Sequence, residues 1–149
     1  MSPAQVSRIS TGACQLNSSN AVWKICYFHH PLYSNARAHG SDTDLRKLLE
    51  PLFEHYGVNV VFAGHEHVYE RLKAQSGITY FVLGNSGKLR FHDLRHSAGM
   101  AKGFDTDRTF ALVEISGNQL SYQVISRAGE TVDSGEIAAK VLGAEVIAF

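Results

Sequence analysis

The chain has 149 residues, enough for one domain with a sizeable core. Its 14 Lys plus Arg balance its 14 Asp plus Glu, so no net field draws nucleic acid to it, and no apolar run approaches the roughly 18 residues of a membrane span. Cys14 and Cys26 form neither a Cys-x-x-Cys pair nor a disulfide framework and read as structural thiols, whereas histidine is plentiful, at positions 29, 30, 39, 55, 65, 67, 92 and 96.

Residues 1–22 are weakly patterned, with a short helix expected at most, over 5–15. Trp23 to Phe28 is apolar and aromatic and reads as a strand. It stops at His29-His30-Pro31, because proline cannot donate to a ladder and biases His30 away from helix. Residues 32–40 form a polar loop ending in His39-Gly40. Ser41-Asp42-Thr43-Asp44 then supplies N-cap side chains and first-turn acids. Leu45, Leu48, Leu49, Leu52 and Phe53 recur at helical spacing, and Gly57 is a suitable stop. The spacing predicts a helix over about 44–56 whose apolar stripe is core. Pro51 is expected to split or kink it, since proline removes a backbone donor and crowds the preceding turn.

Val58 to Ala63 is the next strand, followed by Gly64-His65-Glu66-His67. Side chains two apart share a face of extended chain but lie about 200° apart on a helix, so His65 and His67 can converge only if this segment is strand or loop. Strand, helix and strand make a βαβ unit with a right-handed crossover and parallel strands. Parallel strands place their carboxyl ends at one edge, where open α/β sheets bind ligands. Directly beyond those ends stand His29 and the His65/His67 pair. An isolated His-x-His is often an idle loop pair; imidazoles at both strand ends instead point to a borderline transition metal.

Residues 72–77 form a turn and 78–83 a third strand, ending in Gly84-Asn85-Ser86-Gly87. That glycine-rich end either closes the strand as a plain turn or lets the backbone approach a substrate closely. Residues 88–108 read as an irregular loop with His92 and His96 on the surface. Three further strands, 109–115, 119–126 and 131–137, are separated by Ser116-Gly117-Asn118 and Ala128-Gly129-Glu130, the pattern of an antiparallel meander. Residues 138–149 are an apolar tail. The fold class is therefore α/β, of the α+β sandwich type: a βαβ unit with parallel strands, then an antiparallel meander.

The runs Phe28-His29-His30-Pro31-Leu32-Tyr33-Ser34, His39-Gly40 and Gly64-His65-Glu66-His67-Val68-Tyr69-Glu70-Arg71 together resemble the calcineurin-like metallophosphoesterase superfamily, specifically its purple acid phosphatase-like branch. Gly-His-x-His alone is generic to that superfamily; the flanking Tyr-Glu-Arg and His-His-Pro-Leu-Tyr make the likeness specific, from about Trp23 to about Ile137. The resemblance implies hydrolysis of phosphate esters by a metal-activated hydroxide at a two-metal centre of Fe, Zn or Mn. It implies His29 and His65 as ligands of one metal, His67 as a ligand of the other, and His39 as the histidine that protonates the leaving oxygen. The rings of His29, His65 and His67 are expected to meet around a cation, within coordination reach of a common point at the tips of the two parallel strands. His30 has no ligand role in the pattern and is expected to pack in its loop through a ring hydrogen bond. Tyr69, Glu70 and Arg71 are expected to anchor the loop.

The family's other ligand segments, an Asp-x-His, a Gly-Asp with the bridging carboxylate and a Gly-Asn-His, do not occur before Trp23. Residues 23–137 are therefore expected to be the C-terminal half of a metallophosphoesterase domain. Without the bridging carboxylate the mutual repulsion of two dications is not offset. Two outcomes follow from this: a catalytic half that works with a missing N-terminal half, or a non-catalytic half-domain that binds a metal or a partner. Self-association through an exposed sheet edge belongs to the second. The remaining partner is the phosphate-ester substrate, with neither nucleic acid nor membrane expected.

Overall fold

A computed structural model describes residues 15–140. The helix expected over 5–15, Cys14 and the tail beyond 140 lie outside the described residues, apart from a helical stretch at 15–18. The elements are β1 (Ile25–Phe28), α1 (Thr43–His55), β2 (Val60–Ala63), β3 (Tyr69–Leu72), β4 (Thr79–Leu83), β5 (Met100–Phe104), β6 (Thr109–Ser116), β7 (Gln119–Ser126) and β8 (Thr131–Ala138).

The βαβ unit forms as expected. β1 pairs parallel with β2, Ile25 opposite Val60 and Phe28 opposite Ala63, and β2 pairs parallel with β4. β1 begins two residues later than its apolar run because the Asn59 side chain takes the Lys24 N–H at 2.8 Å, while the Asn59 N–H donates to the Lys24 carbonyl at 2.9 Å. Trp23 turns instead to the second sheet, where Nε1 donates to the Gly117 carbonyl at 2.9 Å.

α1 is capped by Asp42, whose Oδ1 accepts from the Leu45 N–H at 2.9 Å. The helix runs unbroken through Pro51, contrary to the expected split. Pro51 is exposed, as is Lys47 four residues earlier, so the carbonyl that loses its donor lies on the solvated side and water can satisfy it.

Two strands were not expected. β3 and β5 add to the sheet antiparallel, giving the order β1-β2-β4-β3-β5. Residues 88–108 are therefore not wholly irregular, since Met100–Phe104 pairs with Tyr69–Leu72. β6, β7 and β8 form the expected antiparallel meander as a separate sheet.

The alternation of side chains splits the core into two layers. On one face of the larger sheet Val61, Ile78 and Tyr80 pack with Leu49 and Phe53 of α1. On the other face Val60, Tyr69 and Phe81 meet Leu120, Tyr122 and Val124 of β7. Each aliphatic side chain fully buried there contributes about 1.5–3 kcal/mol, so the two sheets hold together and fix where β1 and β2 end. Burial pushes the Cys26 thiol up to about 11, which keeps it a protonated structural thiol at neutral pH.

Candidate metal centre

β1 and β2 end side by side, and the Gly64 N–H, just past β2, donates to the His29 carbonyl, just past β1, at 3.1 Å. That bond draws the next side chains together. His29 Nε2 stands 3.1 Å from His65 Nδ1, near enough to share a proton or a cation. The His30 ring lies 4.3 Å from that of His65 and 5.2 Å from that of His29. One nitrogen from each of His29, His30 and His65 falls within 4.8 Å of the others. His39, His65 and Glu66 form a second such group, so His65 belongs to both. His65 is held at φ 64°, a left-handed conformation uncommon for a residue with a Cβ and costing on the order of 1 kcal/mol. Strain of that kind at a convergence of donors marks a constrained position.

His67 stands apart from these groups among the described residues. Its ring is half-buried, and Nδ1 is enclosed with no hydrogen-bond partner. Of the three rings expected to meet around one cation, those of His29 and His65 come together, and His67 joins neither donor group among the described residues. Burial lowers the pKa of His65, and the adjacent His30 and His39 rings lower it further. Burial, with Lys88 and Arg90, does the same to His67. Both are thereby kept in the neutral form that binds metals.

The loop around them is secured from three directions. Glu66 is fully buried; its Oε1 accepts from the Gly40 N–H at 2.8 Å and faces His39 Nδ1 at 3.3 Å, and its Oε2 is enclosed without a partner. From beneath, Gly84 lies so close to the Glu66 carbonyl that an added Cβ would sit 2.0 Å from its oxygen. The glycine-rich end of β4 thus allows backbone to approach backbone under the histidine loop. Glu70, also fully buried, accepts from Ser34 Oγ at 3.1 Å, from the Asn35 N–H at 2.9 Å and from the Asn35 amide, tying β3 to the loop after His30.

Tyr69 and Arg71 fasten the same strand to the meander. The Tyr69 hydroxyl donates to Asp133 Oδ2 at 2.5 Å, and Arg71 donates through Nε to Oδ2 at 2.8 Å and through Nη2 to Oδ1 at 3.2 Å. The expected anchoring role of Tyr69, Glu70 and Arg71 is what the contacts display. His92 and His96 are exposed, as expected.

The family model for calcineurin-like phosphoesterases matches residues 7–69. Human tartrate-resistant acid phosphatase type 5 is 29% identical over 126 residues, covering 79% of this chain and 38% of its own length. Fe(3+)-Zn(2+) purple acid phosphatase 12 of Arabidopsis thaliana is 39% identical over 69 residues, covering 46% of this chain and 15% of its own. The solved purple acid phosphatase PPD1 of yellow lupin superposes with a TM-score of 0.75 at 20% identity, over 87% of this chain and 28% of that one. The family model and these relatives support a likeness to the calcineurin-like phosphoesterase superfamily, in its purple acid phosphatase-like branch, and the solved structure shares the fold. The chain spans well under half the length of these curated relatives.

Three residues of the candidate site escaped the reading of the sequence. Glu66 was passed over as the spacer between two histidines, yet it is a buried carboxylate in one of the two donor groups. His30 forms the expected ring hydrogen bond, with Nδ1 3.4 Å from Asp42 Oδ2, but it also joins His29 and His65. Asp42 was read as a helix cap and is one, through its other oxygen. The only hint in the sequence was the His-His doublet itself.

Proposed function

We propose that this chain supplies the histidine half of a metal-dependent phosphoesterase centre that hydrolyses phosphate esters. The observation that carries the reading is the 3.1 Å approach of His29 Nε2 to His65 Nδ1 beyond the ends of two parallel strands. Two imidazole nitrogens bound to one tetrahedral cation at about 2.0–2.1 Å stand roughly 3.3 Å apart, so the pair already has the spacing of two ligands. Neutral imidazoles suit zinc and iron, and the Fe–Zn relative supports a metal of that kind.

In this reading His29 and His65 hold one metal and His67, whose enclosed Nδ1 lacks a partner, is the donor left for a second. A metal bound there supplies Lewis acidity toward a phosphoryl oxygen and a water that ionises near neutral pH. His39 is more than half exposed and so is open to substrate; Glu66 faces its Nδ1, leaving Nε2 to hand a proton to the departing alkoxide. Fe, Zn or Mn, two per complete domain, is the complement proposed for the whole enzyme, and the remaining ligands come from a second half of the domain.

A second reading is a half-domain that binds a metal or a partner without catalysis. It is favoured by one observation: among the described residues no aspartate joins either donor group, so nothing found there bridges two dications. The outer strands also carry exposed apolar side chains, Tyr27 on β1 at 86% and Phe110 and Leu112 on β6 at 54% and 58%, which would suit pairing with a missing half or a second copy.

Metal content per chain together with turnover of an aryl phosphate ester separates the two. Metal with turnover that His39→Ala depresses supports the catalytic reading. Near-stoichiometric metal without turnover supports the second. Metal uptake unaffected by replacing both His29 and His65 with alanine overturns both.

A further inference from the structure

Resting on the reading above, we infer that His30 is the third protein ligand of a mononuclear site formed with His29 and His65, selective for a borderline divalent cation such as Zn²⁺. Three imidazoles contributed by two adjacent strand ends match the donor set of a zinc site with an open fourth position. The three offer nitrogens that all fall within 4.8 Å of one another, close to the separation of ligands on one cation.

The second sphere is already in place for His30. Its Nδ1 faces Asp42 Oδ2 at 3.4 Å, which favours the tautomer with the proton on Nδ1 and leaves Nε2 as the ligating atom, the usual arrangement of carboxylate, histidine and metal. Asp42 is itself held, because its Oδ1 caps α1 through the Leu45 N–H at 2.9 Å and its own N–H donates to the Pro31 carbonyl at 2.8 Å. The helix start thus orients the ring. Ring packing against both other histidines adds a second constraint. In the other donor group, of His39, His65 and Glu66, Glu66 Oε1 accepts from the Gly40 N–H and faces His39, and that group brings only two imidazoles.

The consequence is that one cation can be held by the 25–65 region of this chain alone, with no donor from the segments that the family pattern places upstream. A chain relying only on the His29 and His65 pair would bind it far more weakly.

The test is titration of the full 149-residue chain with Co²⁺ alone, followed by visible d–d absorption, with far-UV dichroism reporting the fold of each variant. One Co²⁺ per chain with the intense bands of a four-coordinate site is expected. His30→Ala should weaken affinity by more than the roughly 10–100-fold that loss of an outer partner brings. Asp42→Asn keeps a competent helix cap but loses the carboxylate behind the ring, so it should bind one Co²⁺ about 10–100-fold more weakly and with shifted bands. His96→Ala should bind as the wild type does. If His30→Ala and Asp42→Asn bind Co²⁺ like the wild type while His29→Ala and His65→Ala do not, this inference falls and the proposed function stands. If His29→Ala and His65→Ala are also unaffected, both fall.

Discussion

Gly84→Ala is the substitution through which the architecture of the histidine loop is most directly exposed. Gly84 does not have a positive φ, so the residue is not there for backbone freedom. It is there because a Cβ would lie 2.0 Å from the Glu66 carbonyl oxygen and 2.9 Å from the carbonyl carbon, where ordinary contacts begin at 3.4 Å. The shortfall exceeds an ångström and involves backbone on both sides, so no rotamer change relieves it. Overpacking of this kind costs about 1–3 kcal/mol, and a backbone-to-backbone clash belongs at the upper end. With an m-value of about 2 kcal/mol/M for urea, a loss near 3 kcal/mol lowers the unfolding midpoint by roughly 1.5 M. The same displacement moves Glu66 and its two flanking histidines beyond the ~0.5 Å tolerance of a preorganised site, so metal uptake should fall as well. Gly87→Ala is the control, since its added Cβ meets no atom within 4 Å, and it should change the midpoint little. A Gly84→Ala protein that unfolds with the wild type and takes up metal normally would refute this account of the loop.

Asp133→Ala should cost about 3 kcal/mol, because it leaves the Tyr69 hydroxyl and the Arg71 guanidinium without their acceptor and bonds to charged groups contribute roughly 1.5–3 kcal/mol each; a loss under about 0.5 kcal/mol by urea unfolding would show that this anchor is dispensable. The Leu45 N–H holds the Asp42 carboxyl below its ordinary value of 3.8, with burial opposing it and His30 assisting. A lowered carboxylate stabilises the fold above its unfolded value, and that stabilisation disappears as pH falls through the folded value. Asp42→Ala should therefore cost about 1 kcal/mol in metal-free protein at neutral pH, and the difference should vanish on acidification; a difference independent of pH would contradict the charge-assisted cap. Glu70 is shifted the other way, raised above 4.5 chiefly by burial, with the Asn35 and Ser34 bonds opposing. Its folded form holds the proton more tightly, so its favourable contribution is present below 4.5 and is lost as pH rises through the folded value. Urea midpoints from acid to neutral pH should fall less steeply for Glu70→Gln than for the wild type, and parallel curves would contradict the assignment.

How far the sequence could be read depended on whether each residue's partner lies near it in the chain. Val60-Val61-Phe62-Ala63 and the leucines of α1 carry their own periods, so the βαβ unit and the site edge beyond it were legible. β7 alternates strictly, with Leu120, Tyr122, Val124 and Ser126 buried, and the meander followed. β3 was hidden because Tyr69-Glu70-Arg71-Leu72 places two charged residues on a mostly buried strand. Their partners are Ser34, Asn35 and Asp133, dozens of residues away, and no local pattern announces them. β5 offers little alternation or branching; its pairing with β3 is a tertiary effect, helped by Gly103, whose added Cβ would lie 2.8 Å from Leu94 Cδ1. In the site, His29 and His65 could be paired from strand direction alone. The parts played by His30, Glu66 and Asp42 depend on the loop after β1 folding back over the helix start, which spacing does not encode.

The claim beneath all of this is that imidazoles from two neighbouring strand ends grip one cation. X-ray absorption at the zinc edge of the zinc-loaded chain tests it most directly. The account predicts a first shell containing about three nitrogens at roughly 2.0–2.1 Å, with the outer-shell scattering of imidazole rings. A shell of oxygens without imidazole scattering, unchanged when His29 and His65 are replaced, would contradict it.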